Sequence, residues 1–246
     1  MLLDTLKVIV TGGGRGIGKA IALALAREGA DVCVTARSEF EIDLVAHEIR
    51  DMGRLALALQ ANARDSSGSD YVVKKTLEVF GHIDLLVNNA GGSVENAPIA
   101  ESDPDSWIET IETNLIGTYL YSRAVLPGMI ERHSGKIINI GSGMGHLAHG
   151  IIGNSAYSAS KAGVWMFTQC LAMEVWEHGI DVNEIVPGPV ETRMTERKWR
   201  AGKPTEFSPS ERTKSPEDVA PVAVWLAAQP VGGSTGQYFS LARRPL

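Results

Sequence analysis

Short apolar runs alternate with longer amphipathic stretches from one end of the chain to the other. The runs "LKVIV" (6–10), "DVCVTA" (31–36), "LALAL" (55–59), "DLLV" (84–87), "KIINI" (136–140) and "IDVNEI" (180–185) read as buried strands. Between them, apolar residues recur at helical spacing over 16–28, 39–52, 66–80, 104–132, 156–177 and 216–228. "LALAL" is ambiguous by composition, because Ala and Leu favour helices. Its place between two helices assigns it to a strand. Strands apolar on both faces, alternating with helices, predict a parallel sheet covered on both sides. Right-handed crossovers make a doubly wound Rossmann-type sheet the simplest topology. We therefore expect an α/β fold with a mostly parallel seven-stranded sheet. No linker, repeat or low-complexity block interrupts the alternation, so 1–246 reads as one catalytic domain. The one long polar stretch, 191–215, is too long for a simple connection and reads as a lid over the site.

Composition narrows the class. Hydrophobic residues make up 44% of the 246 and charged residues 21%, the balance of a soluble globular protein. A net charge of −6 argues against a nucleic-acid groove. Cys33 and Cys170 both lie in apolar runs and are expected to be buried thiols in a reducing compartment. "MLLDTLKVIV" has no basic region leading into a long apolar run, and no stretch approaches a membrane span. The expectation is a cytoplasmic protein without nucleic-acid or membrane partners. With two distant Cys and no His/carboxylate cluster, no metal site is expected.

Candidate chemistry begins with "TGGGRGIG" (11–18), which follows a strand and opens a helix. The spacing is Gly12-x-x-x-Gly16-x-Gly18, not the strict dinucleotide fingerprint. Its physics is the same: Gly12 permits the tight exit from the strand, and Gly16 lets backbone approach a pyrophosphate. Gly18 allows close helix–sheet packing, with the helix N-terminus aimed at the anion. An NAD site usually places a carboxylate at the end of the second strand. Here neutral Ala36 is followed by Arg37, and Arg15 lies in the Gly-rich loop. Two guanidiniums suit a 2′-phosphate, at roughly 1.5–3 kcal/mol per charge-assisted bond, or about 10²-fold in favour of NADP. In "AYSASKAG" (156–163), Tyr157 and Lys161 fall one helical turn apart on one face. Such a pair suits a proton donor and a surface contact equally well, so the spacing alone leaves both open.

"LLVNNAGG" (85–92), "ETNLIGTYL" (112–120), "INIGSGMG" (138–145) and "VNEIVPGPVET" (182–192) complete a set. With "TGGGRGIG" and "YSASK", their order and spacing resemble the short-chain dehydrogenase/reductase family over nearly the whole chain. The pattern is most similar to compact reductases of the 3-oxoacyl-[acyl-carrier-protein] type. The resemblance implies Tyr157 as general acid/base and Ser142 as the hydrogen-bonding partner of the substrate oxygen. It implies Lys161 as the group that holds the nicotinamide ribose and lowers the Tyr157 pKa. Asn114 would orient a water linking Lys161 to solvent. A phenol titrating near 10 needs a drop of ~3 units, about 4 kcal/mol, which one ammonium ~4 Å away at an effective dielectric of ~20 supplies.

For the cofactor, NADP(H), the resemblance adds Ile17 beside the phosphate-loop residues, and Asn62 and Ala63 near the adenine. Asn62 stands where the family often has Asp, and its amide carbonyl still accepts a hydrogen bond. Asn88, Ala90 and Gly91 would bring backbone to the adenosine side, with Asn88 also steadying the central strands. Pro187, Gly188, Val190 and Thr192 would lie near the nicotinamide end, with Tyr157 and Lys161. The implied activity is NADPH-dependent reduction of a small-molecule carbonyl substrate to an alcohol. The alternatives are an NAD(P)-dependent alcohol dehydrogenase working oxidatively and a non-catalytic dinucleotide-sensing protein. The implied assembly is a homotetramer, or a homodimer, built by pairing the helices at 104–132 and 156–177. Trp165, Phe167 and Trp176 are candidates to face the partner.

Several positions depart from the family pattern. The interval from Ser142 to Tyr157 is long, implying an enlarged loop in which His146 and His149 either line a pocket or sit in solvent. His178 stands where the carrier-protein reductases have an Arg, although Arg132 matches their other basic position. Arg193, Arg197, Lys198, Arg200 and Lys203 either attract an anionic substrate or form a solvated face. The chain ends "YFSLARRPL" in place of the family's common Gly-rich ending.

Overall fold

The computed structural model describes residues 1–146, 150–195, 200–204 and 211–243. Seven strands form one sheet: β1 (Lys7–Thr11), β2 (Asp31–Ala36), β3 (Ala56–Gln60), β4 (Leu85–Asn88), β5 (Gly135–Ile140), β6 (Ile180–Val186) and β7 (Tyr238–Ser240). Their order is β3-β2-β1-β4-β5-β6-β7, and every pairing is parallel, where a mostly parallel sheet was expected. The seventh strand comes from the unusual C-terminal segment. "LALAL" does pair as a strand, Val34 of β2 lying opposite Ala58.

The helices are α1 (Gly16–Arg27), α2 (Glu39–Asp51), α3 (Ser66–Phe80), α4 (Pro104–Ile111), α5 (Gly117–Glu131), α6 (Ser155–Val175) and α7 (Ala220–Ala227). Successive strand residues point to opposite faces, which is why whole strands are apolar. Val8, Val10, Val32, Val34, Leu85 and Val87 pack with Ile21, Leu25, Ile42, Val45, Ile49 and Leu226 from α1, α2 and α7. Their neighbours Ile9, Cys33, Leu86, Ile137 and Val182 face Val72, Tyr121, Val125, Met129 and Leu171 from α3, α5 and α6. The strand order reverses between β1 and β4, opening a crevice beyond their C-terminal ends.

One expectation needs refining and one correcting. The amphipathic stretch 104–132 is helical throughout to Glu131, but Glu112–Ile116 winds as a wide turn with i→i+5 bonding between α4 and α5. Cys33 is buried, but Cys170 is exposed. The stripe of α6 that meets the sheet holds Lys161, Val164, Thr168, Leu171, Ala172 and Val175, and Cys170 falls outside it.

At the N-terminal ends of the strands, buried Asp31 and half-buried Asp84 are densely partnered. Asp31 accepts from Lys7 Nζ and from the Leu55 amide at 2.9 Å, and lies 3.1 Å from Arg54 Nη2. Asp84 accepts from the Lys7 amide and from Arg132 Nη2, both at 2.9 Å, with His82 3.1 Å away. Arg132 also donates to the Ile83 and Ser134 carbonyls. Among the described residues, no helix is long and apolar enough to cross a membrane.

Candidate active site

The Gly-rich loop leaves β1 beside the strand-order reversal. Gly12 has φ +61°, a conformation that favours glycine. Gly18 is required for a different reason: a Cβ there would fall 2.3 Å from the Gly12 carbonyl oxygen. The first turn of α1 begins at Gly16 with Arg15 as its N-cap, and the Arg15 side chain makes no capping bond. Ile17 lies on that turn, packed at the edge of the core. Free first-turn amides facing a glycine loop fit a pyrophosphate. Across from Gly16, the Thr192 methyl would lie 3.6 Å from an added Cβ, so Thr192 borders the loop from the other side. Val190 is buried, and Gly188, after Pro187, has φ +69°.

The second wall follows β4. Asn88 is buried and donates to Ser122 Oγ and Asn139 Oδ1 at 3.0 and 2.9 Å, tying the central strands. The residue that grips the phosphate loop is its neighbour Asn89, which donates to the Thr11 and Gly12 carbonyls at 3.0 and 3.1 Å. Thr11 Oγ1 in turn accepts from the Asn89 and Ala90 amides, both at 3.0 Å. Sequence reasoning missed Asn89 and Thr11; the doubled Asn was the only signal. Asn62 Oδ1 accepts from the Arg64 amide at 3.3 Å, and Ala63 packs beside Gly117.

At the expected ribose end, Ala36 closes β2 without a carboxylate and Arg37 follows it. Both arginines hold acidic partners. Arg15 lies 3.1 Å from Glu41, and Arg37 lies 3.4 Å from Glu109. All four side chains keep solvent contact, so these pairs are weak and exchangeable.

The third group lies past the ends of β5 and α4. Ser142 leaves β5 and caps a short 3₁₀ turn, its hydroxyl accepting from the Met144 amide at 3.2 Å. Tyr157 sits in the first turn of α6, with the Ser142 hydroxyl near its phenol. One turn on, Lys161 is buried, its Nζ donating to the Ile140 carbonyl at 2.7 Å and lying 5.9 Å from the Tyr157 ring centre. Burial pushes the Tyr157 phenol up from its ordinary value, with the Ser142 hydroxyl opposing. Burial pulls Lys161 down to about 8, with Glu184 opposing. The expected lowering of Tyr157 by Lys161 is therefore not the direction observed. The ammonium is desolvated, turned to a backbone carbonyl, and set beside the ring.

Asn114 lies in the wide turn between α4 and α5 and is fully buried. Its Oδ1 accepts from the Gly92 amide and its Nδ2 donates to the Gly92 carbonyl, both at 2.8 Å, and Nδ2 also donates to Ser160 at 3.0 Å. The side chain thus bolts the segment after β4 to α6; Gly91, beside it, has no room for a Cβ. His146 is neither solvated nor open to a pocket: it is buried against Glu184. His149, Arg197 and Lys198 lie outside the described residues, whereas Arg193, Arg200 and Lys203 lie within them. Arg200 pairs with Glu191 at 2.8 Å, and Arg193 lies 3.9 Å from Glu41.

Residues 6–203, which hold all of these groups, match the short chain dehydrogenase family. The chain belongs to that family. It is 41% identical to a 3-oxoacyl-[acyl-carrier-protein] reductase of Synechocystis sp. over 235 residues, 95% of this chain and 94% of the relative. To the 3-oxoacyl-[acyl-carrier-protein] reductase FabG of Escherichia coli it is 37% identical, covering 93% and 92% of the two chains. Among solved structures, levodione reductase superposes with a TM-score of 0.89 at 26% identity, over 98% of this chain and 97% of the other. As a short chain dehydrogenase, the protein is an oxidoreductase acting on a carbonyl or hydroxyl group with a nicotinamide dinucleotide. The relationship to these reductases makes NADP(H) its cofactor.

Proposed function

We propose that this short chain dehydrogenase reduces a ketone to an alcohol with NADPH, in the manner of the 3-oxoacyl reductases it resembles. The supporting observation is the meeting of Ser142, Tyr157 and Lys161 past the C-terminal ends of the central strands. When bound, the reduced nicotinamide supplies hydride to the carbonyl carbon. The Tyr157 phenol gives its proton to the carbonyl oxygen, and the Ser142 hydroxyl holds that oxygen by a hydrogen bond. At neutral pH the phenol holds its proton, and positive charge from Lys161 and the bound nicotinamide is what would bring its raised pKa down for transfer. Lys161 binds the ribose hydroxyls, and its positive charge stabilises the phenolate left by proton transfer. Asn114 fixes the Gly92 backbone and Ser160 and so sets the distance between the two walls. The α1 amides and the loop clamped by Asn89 take the pyrophosphate, and Arg15 and Arg37 exchange their carboxylate partners for the 2′-phosphate.

The substrate is a small ketone or 3-oxoacyl thioester. A carrier protein is less well supported: Arg132 already serves Asp84 and two carbonyls at the N-terminal ends of the strands, and His178 replaces the second expected Arg. For assembly the proposal is a homotetramer, or a homodimer, in the cytoplasm. Of the three aromatics expected at the partner face, Trp176 is on the apolar face offered by α4–α6. Ile108, Ile116, Tyr119, Met166, Met173 and Trp176 are exposed. Trp165 instead packs against His146 and Tyr238, and Phe167 packs against Tyr119.

NADPH oxidation over a panel of ketones, acyl thioesters and carrier-bound thioesters tests the reading. Turnover of free ketones or thioesters is expected. Turnover only of alcohols with NADP⁺ would point to the oxidative reading. Cofactor binding with no turnover in either direction would point to the sensor.

A further inference from the structure

Behind Ser142 lies a buried His–Glu pair that the reaction above does not use. Glu184, in β6, has no exposed side-chain surface, and the His146 side chain is only 6% exposed. His146 Nε2 stands 3.2 Å from Glu184 Oε1. The imidazole is packed between Trp165 and Tyr238, at ring-centre distances of 5.1 and 4.4 Å. Glu184 Oε2 is buried with no hydrogen-bond partner among the described residues. A carboxylate so placed is costly unless a nearby cation compensates it.

The backbone makes room for this carboxylate at one position. A Cβ at Gly141 would fall 1.4 Å from Glu184 Oε1, so any residue but glycine there would collide with the carboxylate. Gly141 separates Ile140, whose carbonyl receives Lys161 Nζ, from Ser142. The Glu184 carboxylate therefore packs at the residue that joins the lysine's anchor to the serine. Lys161 is the buried cation within its field. Among the described residues, the other titratable groups facing the cluster are Tyr157 on α6 and Tyr238 on β7, the latter across the His146 ring.

The geometry points to Glu184, steadied by His146, as the buried counter-ion of Lys161 and a positioning residue for the proton-transfer site. The inference rests on the role given to Lys161 above. Its consequence is that Lys161 stays an ammonium to higher pH than burial alone allows, because the carboxylate opposes the desolvation that brings it to about 8. Loss of the carboxylate charge leaves the lysine to burial.

Binding of NADPH to the full chain, followed by cofactor fluorescence from neutral to alkaline pH, reads this without a substrate. Wild-type affinity should fall on the alkaline side as Lys161 loses its proton, and Lys161→Met should abolish that limb. Glu184→Gln is isosteric, and it should move the limb down by about one pH unit. Glu184→Asp, which keeps the charge, should restore most of the shift. His146→Gln, which frees the carboxylate to move, should shift the limb in the same direction by less, and it carries the test if Glu184→Gln does not fold. A limb unmoved in Glu184→Gln, or in His146→Gln where that variant carries the test, overturns the counter-ion role while leaving the reading of Lys161 intact, provided Lys161→Met abolishes the limb. Identical profiles for wild type and Lys161→Met overturn both.

Discussion

The two ends of the sheet treat their charges in opposite ways. At the N-terminal ends, Asp31 and Asp84 are each surrounded by cations and backbone amides, and every partner is a fixed part of the fold. At the C-terminal ends, Glu184 keeps an oxygen with no partner among the described residues, and Lys161 is pulled down to about 8. There, Arg15 and Arg37 hold only loose, exposed acidic partners. The satisfied end locks strand starts together, whereas the other end leaves polar capacity for a ligand. A parallel sheet binds at its C-terminal end. The contrast is between these particular clusters, since at the other end Arg54 Nε is also buried without a partner among the described residues and burial also pulls Lys136 down.

The largest effect expected at the ligand end is on turnover. Tyr157→Phe should lower the rate by at least ~10²-fold while leaving NADPH affinity nearly intact, because only the proton donor is removed. Single-turnover kinetics alongside cofactor titration checks this, and wild-type turnover would remove Tyr157 from the chemistry. Next comes cofactor choice. Ala36→Asp combined with Arg37→Ser should turn a preference for NADPH into one for NADH, a change of about 10²-fold in relative affinity. Equal parental affinities would show that the arginines do not meet the 2′-phosphate.

At the other end the expected effect is on stability. Burial pushes the Asp31 carboxyl up, but the Lys7 and Leu55 hydrogen bonds and the Lys7 and Arg54 charges outweigh it and hold the pKa below its ordinary value. A depressed carboxylate contributes stability above its unfolded pKa and loses it as pH falls through the folded one. Asp31→Asn should therefore cost roughly 1.5–3 kcal/mol near neutrality, with the difference from wild type shrinking below about pH 4. Denaturant titrations over that range measure it; a pH-independent difference would count against the charge as the cause. Smallest of all, Glu41→Gln frees Arg15 from an exposed pair and should tighten NADPH binding by no more than about fivefold. Salt should weaken that gain, since such pairs are screened over ~10 Å.

The strands and the phosphate loop were legible because each rests on local physics. Consecutive apolar residues fit only a sheet covered on both faces, and Gly12, Gly16 and Gly18 answer to a turn and a close approach. The catalytic side chains were legible only as a set, since a Tyr–Lys spacing alone fits many helices. What escaped depends on contacts distant in sequence. Cys170 lies in an apolar run, yet its exposure follows from which stripe of α6 meets the sheet. Asn89 does its work through carbonyls 77 and 78 residues away. His146 was placed in a loop, and its burial depends on Trp165, Tyr238 and Glu184 arriving from three other elements. Glu184 itself was a visible anomaly, a carboxylate inside "IDVNEI", but nothing local says which cation it faces.

The wide turn at Glu112–Ile116 sets a limit on how this chain can change length. Each residue of an α-helix advances the face by about 100°. Removing one residue from the turn would let ordinary helical bonding run through, an outcome that looks harmless. The wide turn rotates less per residue than an α-helix, so its five residues turn the chain about as far as four helical ones. Tyr121, Val125 and Met129 of α5 would therefore still face the sheet, whereas Asn114 would lose the wide-turn backbone that holds it on Gly92 and Ser160. Within these five positions the identity of a residue is negotiable in several places, and their number is not.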